Sequence, residues 1–167
     1  MVGFRIGLFT ATDRRKAGRG EKRRRARSAG RRACYHPAID RRRDHVRVET
    51  IAVVGAGLMG RGIAYAAVAG GYRTVLHDVS PEALDRARQQ VRADLDEGRA
   101  RGKIPSGDAD AAYERLRLEP DLARAVAGAG FVIEAVPEQI ELKLRIFARL
   151  DEACGDGAVL ASNTSSL

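Results

Sequence analysis

The segment Thr50-Ile51-Ala52-Val53-Val54-Gly55-Ala56-Gly57-Leu58-Met59-Gly60 joins a strand signal directly to a turn signal. Thr50–Val54 is short, apolar and β-branched, the pattern of a strand buried on both faces of a parallel sheet. It runs into G-x-G-x-x-G, in which each glycine answers a separate demand. Gly55 permits the tight turn, Gly57 lets a ligand diphosphate approach the backbone, and Gly60 lets the next helix pack against the strand. That helix spans about Leu58–Ala69, is rich in Gly and Ala, and ends at Gly70-Gly71. Its free N-terminal amides and dipole suit an anion.

A glycine-rich turn alone is weak evidence, so the flanking sequence must supply the checks. A second strand, Thr74–His77, ends in Asp78, 23 positions after Gly55. An acid there accepts hydrogen bonds from an adenosine ribose and repels a 2′-phosphate, which favours NAD over NADP. The alternative for Asp78 is an ordinary acid in a helix-entry turn. His77 beside it reads as polar filler and takes no chemical role.

Ser80-Pro81-Glu82 supplies an N-cap, an N1 proline and a first-turn acid. The helix that follows carries Leu84, Ala87, Val91 and Leu95 on one face, and a second helical stretch covers about 108–115. This is more helix than one crossover needs and implies a protruding helical hairpin. Strands then follow at Leu116–Leu118, Phe131–Val136 and Ala158–Ala161, with a short helix capped near Asp121. A further helix has Ile140, Leu144, Phe147, Leu150 and Cys154 as one apolar stripe. Strands alternating with helices at this rhythm predict an α/β fold, a Rossmann-type doubly wound parallel sheet with a hairpin insertion. Its ligand crevice lies at the carboxyl ends of the strands, where Gly55–Gly60, Asp78, Val136–Glu138 and Asn163–Ser165 all fall.

Charge divides the chain in two. Of 30 Lys+Arg and 22 Asp+Glu, residues 1–48 hold 16 and 4 (+12), and residues 49–167 hold 14 and 18 (−4), giving the formal +8. The expected organisation is a disordered Arg-rich leader over 1–47 and a single NAD-binding Rossmann domain over 48–167. The leader has no sustained apolar period beyond Phe4–Phe9 with which to offset its ordering entropy. It reads as an unstructured extension, such as one translated from upstream of a start codon. A transit peptide and a nucleic-acid-binding arm are the alternatives, but serine is scarce and no aromatic or base-reading motif accompanies the arginines. No run of eighteen apolar residues exists to make a membrane-spanning helix. Cys34 and Cys154 form no disulfide framework and have no metal-ligand spacing, which fits a reducing cytoplasm and no metal site.

IAVVGAGLMGRGIA (51–64), the His77-Asp78 pair, FVIEAVPEQIELK (131–143) and ASNTSSL (161–167) together resemble the NAD-binding domain of the 3-hydroxyacyl-CoA dehydrogenase family. The resemblance covers residues 48–167, and the long helical pair belongs to it. It implies NAD as cofactor and hydride transfer between 3-hydroxyacyl-CoA and 3-oxoacyl-CoA, in fatty-acid or hydroxybutyryl-CoA metabolism. Carried over, Gly55, Ala56, Gly57, Leu58, Met59 and Gly60 cover the diphosphate and Asp78 holds the adenosine ribose. Glu138 and Lys143 lie by the nicotinamide, with a helix-start charge and a solvated face as the alternative. Ser165 orients the substrate's 3-oxygen and Asn163 supports that loop. Arg101 and Lys103 are candidates for coenzyme A phosphates, against a solvated basic turn.

In this family a histidine, oriented by a glutamate, takes the hydroxyl proton, and both lie beyond the SNTSSL segment. His36 and His45 belong to the leader and His77 ends a strand, so none can fill that role. The expectation is an NAD-binding fragment with little or no turnover. The helical substrate and dimer domain is absent from these residues, and the family-typical homodimer is doubtful for them. Two alternatives stand beside it. One is a domain of the 3-hydroxyisobutyrate/6-phosphogluconate dehydrogenase type, against which the hairpin and SNTSSL argue. The other is a stand-alone dinucleotide-binding or partner-docking module tethered by the basic leader.

Overall fold

A computed structural model describes residues 5–10, 48–104 and 108–164, and the rest of the basic leader, residues 105–107 and residues 165–167, Ser165 among them, lie outside the described residues. Six strands form one sheet in the order β1-β6-β5-β2-β3-β4. They are β1 (Arg5–Thr10), β2 (Thr50–Val54), β3 (Arg73–His77), β4 (Leu116–Glu119), β5 (Phe131–Glu134) and β6 (Val159–Thr164). The five from β2 onward are parallel, with β2 at the centre, where Ala52 lies opposite both Val75 and Val132. From β2 the chain winds outward through β3 and β4, then returns to build β5 and β6 on the other side. The gap between β2 and β5 is the switch point of the winding, where α/β sheets open a ligand crevice.

Alternation along β2 separates the two cores. Ala52 and Val54 face Val75, Val132 and Leu160, covered by Leu122, Ala125 and Val126 of α4 (Leu122–Val126) and Leu150 of α5 (Ile140–Ala153). Val53 faces the opposite way with Leu76, beneath Ala64 of α1 (Leu58–Ala69) and Leu84 and Ala87 of α2 (Pro81–Ala100). The period of two along a buried strand thus supplies a full apolar lining to both helical layers.

The caps read from the sequence form. Ala83 N–H donates to Ser80 Oγ at 3.1 Å, and Arg124 N–H to Asp121 Oδ1 at 2.8 Å. The helical pair is less protruding than its length suggests. Val91 and Leu95 of α2, Ile104, and Ala109 and Ala112 of α3 (Ala109–Glu114) bury against Val68 of α1. Arg92 clamps α2 to α3 through Asp110 at 2.6 Å and lies 5.4 Å from the centre of the Tyr113 ring.

Four departures from the expected pattern have physical causes. Arg5–Thr10, expected within an unstructured leader, pairs antiparallel with β6, Arg5 opposite Thr164 and Thr10 opposite Val159. An edge strand offers a row of unpaired backbone groups, and an extended segment satisfies them. That ladder also carries β6 to Thr164, beyond the expected end at Ala161. Conversely, β5 stops at Glu134 rather than Val136, because the Val136 N–H turns to the Glu134 carboxylate at 2.7 Å. The apolar stripe expected on α5 is also partly corrected. Leu150 is buried, and Phe147 and Cys154 pack on the core, but Ile140 and Leu144 are each 63% exposed. The inward position on that first turn and a half belongs to Lys143.

Candidate functional site

The glycine turn is built from three different constraints. Gly55 holds φ +107°, a left-handed conformation, and a Cβ there would stand 2.8 Å from the Ala135 carbonyl oxygen. Its N–H donates to the His77 carbonyl at 2.7 Å, fastening the turn to β3. A Cβ on Gly60 would lie 1.7 Å from the Gly55 oxygen, so helix α1 can approach the strand only with glycine there. At Gly57 a Cβ would meet nothing within 4 Å. No protein atom demands glycine at that position, and the space it leaves open adjoins the start of α1. That helix begins without a side-chain cap and without an acid in its first turn. Its leading amides are thus available to an anion.

Asp78 sits at the end of β3 with its carboxylate turned to this loop. Oδ2 accepts the Ala56 N–H at 2.8 Å and Oδ1 accepts the Ser80 N–H at 3.0 Å. A carboxylate has about four acceptor positions, so two bonds leave capacity for a ligand hydroxyl. The cleft that opens here has a volume of about 780 Å³ and spans both sides of β2. Its lining includes Val79, Leu122, Leu142, Ile146 and Arg149, the turn residues Gly55, Gly57, Leu58, Met59 and Asp78, and Val136, Pro137, Glu138, Asn163 and Thr164. Its size and mixed lining match a cofactor site.

Most residues singled out from the sequence converge on this cleft. Ala56 and Gly60 stand just behind its wall, both buried. Lys143 does not join the lining among the described residues. It is only 7% exposed, and its Nζ lies 2.9 and 3.1 Å from the two carboxylate oxygens of fully buried Glu134. The solvated-face alternative for Lys143 is therefore wrong. Glu134 also accepts the Ser162 hydroxyl at 2.6 Å, and Lys143 reaches Glu138 at 3.5 Å. Glu138 accepts the Thr164 hydroxyl at 3.0 Å at the cleft. Arg101 and Lys103 stand on the exposed turn ending α2, away from the cleft lining, and Arg101 is paired with Glu97. Ser165 lies outside the described residues.

Sequence reasoning passed over Glu134, Ser162 and Arg149. Glu134 left a legible signal: it shares the inward face of β5 with Val132, and a carboxylate buried among aliphatics needs a cation. His77, which lines the cleft, is buried, with Nδ1 2.9 Å from the Glu119 carbonyl, a packing role. The signal for Arg149 is absent from the sequence, since only the packing of α4 against α5 brings it to the cleft. Among the described residues no group of three His, Cys, Asp or Glu could hold a metal ion, and no helix is long and apolar enough to cross a membrane.

A parallel doubly wound sheet, a glycine turn opening at its switch point and an acid closing the next strand define a Rossmann-type dinucleotide-binding domain. The chain belongs to the family described as "3-hydroxyacyl-CoA dehydrogenase, NAD binding domain", whose model matches residues 50–167. It is 40% identical over 122 residues to 3-hydroxyadipyl-CoA dehydrogenase of Escherichia coli K12, covering 73% of this chain and 26% of that protein. It is 35% identical to a probable 3-hydroxybutyryl-CoA dehydrogenase of Bacillus subtilis 168, covering 72% of this chain and 42% of that one. The crystal structure of 3-hydroxybutyryl-CoA dehydrogenase from Escherichia coli K12 superposes with a TM-score of 0.67 at 39% identity, over 72% of this chain and 25% of the other. The chain thus spans between a quarter and about two fifths of the length of these relatives.

Proposed function

We propose that residues 48–167 are the NAD-binding part of an oxidoreductase that interconverts 3-hydroxyacyl-CoA and 3-oxoacyl-CoA. The observation that carries this reading is the open position at Gly57, facing the cleft between two glycines that the fold itself requires. The Gly55–Gly60 turn covers the diphosphate with the amides that its own bonds to His77 and Asp78 leave over, and Leu58 and Met59 lie over it. Asp78 takes the adenosine ribose hydroxyls with its spare acceptor capacity while its two amide bonds keep the loop shaped. A 2′-phosphate would meet that carboxylate, so NAD is preferred to NADP. Glu138 and Asn163 border the nicotinamide half, Lys143 holds Glu138 from behind, and Ser165 orients the substrate's 3-oxygen. Bound NAD supplies the hydride acceptor.

The group that takes the substrate hydroxyl proton is not among residues 48–167. His77, the one histidine there, is buried and turned to Glu119. The 167-residue chain by itself accordingly binds NAD without turning over substrate. Coenzyme A recognition is assigned to a further helical domain of the kind the relatives' greater length accommodates. Arg101 and Lys103 are kept as phosphate contacts only for a substrate held in that way. A homodimer would need that further domain.

Calorimetric titration of the chain with NAD and NADP tests the site. Saturable NAD binding with NADP weaker is expected, and undetectable NAD binding refutes the assignment. The companion assay is acetoacetyl-CoA reduction with NADH, for which no turnover is expected. Robust turnover would place the base within this chain.

A further inference from the structure

We infer that Glu134 is a positioning residue for the nicotinamide half of the cleft, acting through Lys143 and Ser162 on three wall segments at once. The inference rests on the NAD-site reading above. A fully buried carboxylate stabilises a fold poorly unless its partners are many and well placed, and an apolar residue in its place often serves as well. Glu134 has four polar partner contacts, in two sets. One oxygen takes the Val136 N–H at 2.7 Å and Lys143 Nζ at 3.1 Å, and the other takes the Ser162 hydroxyl at 2.6 Å and Lys143 Nζ at 2.9 Å.

Each partner leads to the cleft. Val136 begins the loop that carries Pro137 and Glu138 into its wall. Ser162 precedes Asn163 and Thr164, which line it. Lys143, anchored on Glu134, extends to the outer carboxylate of Glu138 at 3.5 Å, and Glu138 in turn receives the Thr164 hydroxyl at 3.0 Å. The network therefore closes a ring from β5 through α5 to β6 and back. It lies wholly on the β5–β6 side of β2, while Asp78 lies on the β3 side. Loss of Glu134 frees Lys143 to draw Glu138 inward and releases the Val136 amide. The half of the cleft that holds the ribose and adenine is untouched.

That asymmetry gives a readout that lost stability would not reproduce. Titrate the 167-residue chain and its Glu134→Gln variant with NAD and with ADP-ribose, which lacks the nicotinamide, and follow folding by circular dichroism. The expected result is NAD affinity about tenfold weaker with ADP-ribose affinity kept within about twofold. Unchanged NAD affinity, or an equal loss for both ligands in a folded variant, overturns the inference. Should Glu134→Gln fail to fold, the cycle of Ser162→Ala with Glu138→Gln decides. Non-additive effects on NAD affinity uphold the ring and additive ones overturn it. A parent chain that binds neither ligand sinks the cofactor reading, and this inference with it. A parent that binds both, with no split in the variant, sinks the inference alone.

Discussion

Three glycines within six residues carry three separable jobs, and substitution distinguishes them. Gly60→Ala forces a methyl to 1.7 Å from a backbone carbonyl that has nowhere to go. Chemical denaturation should show a loss of about 3 kcal/mol or more. Gly57→Ala places its methyl in open space at a φ of −68°, which alanine accepts. Its stability should stay within about 0.5 kcal/mol of the parent, while NAD affinity falls by about tenfold or more as the methyl meets the diphosphate. Equal effects of the two substitutions on stability would contradict the division between fold and ligand. The roles of Gly55 and Gly60 were legible in the motif because they follow from backbone sterics alone. The burial of Lys143 was not, since a lysine at that helix position is equally at home in water until the strand beneath it is known to carry Glu134.

At the scale of elements, every helix and all five parallel strands among the described residues were legible, because caps, glycine stops and apolar period all act within a few residues. Ser80 is a clear case: its hydroxyl accepts the Ala83 N–H at the start of the 20-residue helix α2. Ser80→Ala should cost about 1 kcal/mol in thermal or denaturant unfolding, with the Asp78 contact to the residue 80 amide retained. A loss below about 0.3 kcal/mol would mean that Pro81 and Glu82 start the helix without it. Element ends were less legible. β5 ends early because a side chain takes the Val136 amide, and β6 ends late because β1 lies beside it. Both depend on partners distant in sequence. The face of α5 was misread in part for the same reason. Ile140 and Leu144 satisfy the helical period, yet α5 gives its inward position there to the lysine that neutralises Glu134.

On the scale of the whole molecule, β1 is the feature that crosses the division by charge. The leader carries the +12 of residues 1–48, yet Arg5–Thr10 completes the β6 edge of a sheet whose residues 49–167 sum to −4. Deletion of residues 1–47 should leave NAD affinity within about twofold, since the glycine turn, Asp78 and the described lining of the cleft all lie within residues 54–164. It should also expose the β6 edge and raise self-association, measurable by light scattering against the full chain. Loss of NAD binding on deletion would extend the working domain into the leader. By itself, the sequence determined the strand–turn–helix unit, the parallel winding, the glycine turn at residues 55–60 and the strand-end acid at 78. Those features arise from local sterics, periodicity and capping, which travel with the chain. Only the tertiary structure decided that Lys143 and Glu134 are a buried pair, that Arg149 reaches the cleft and that β1 caps the sheet. Each of these depends on which distant groups are brought within a few ångströms, and packing across the sheet sets that.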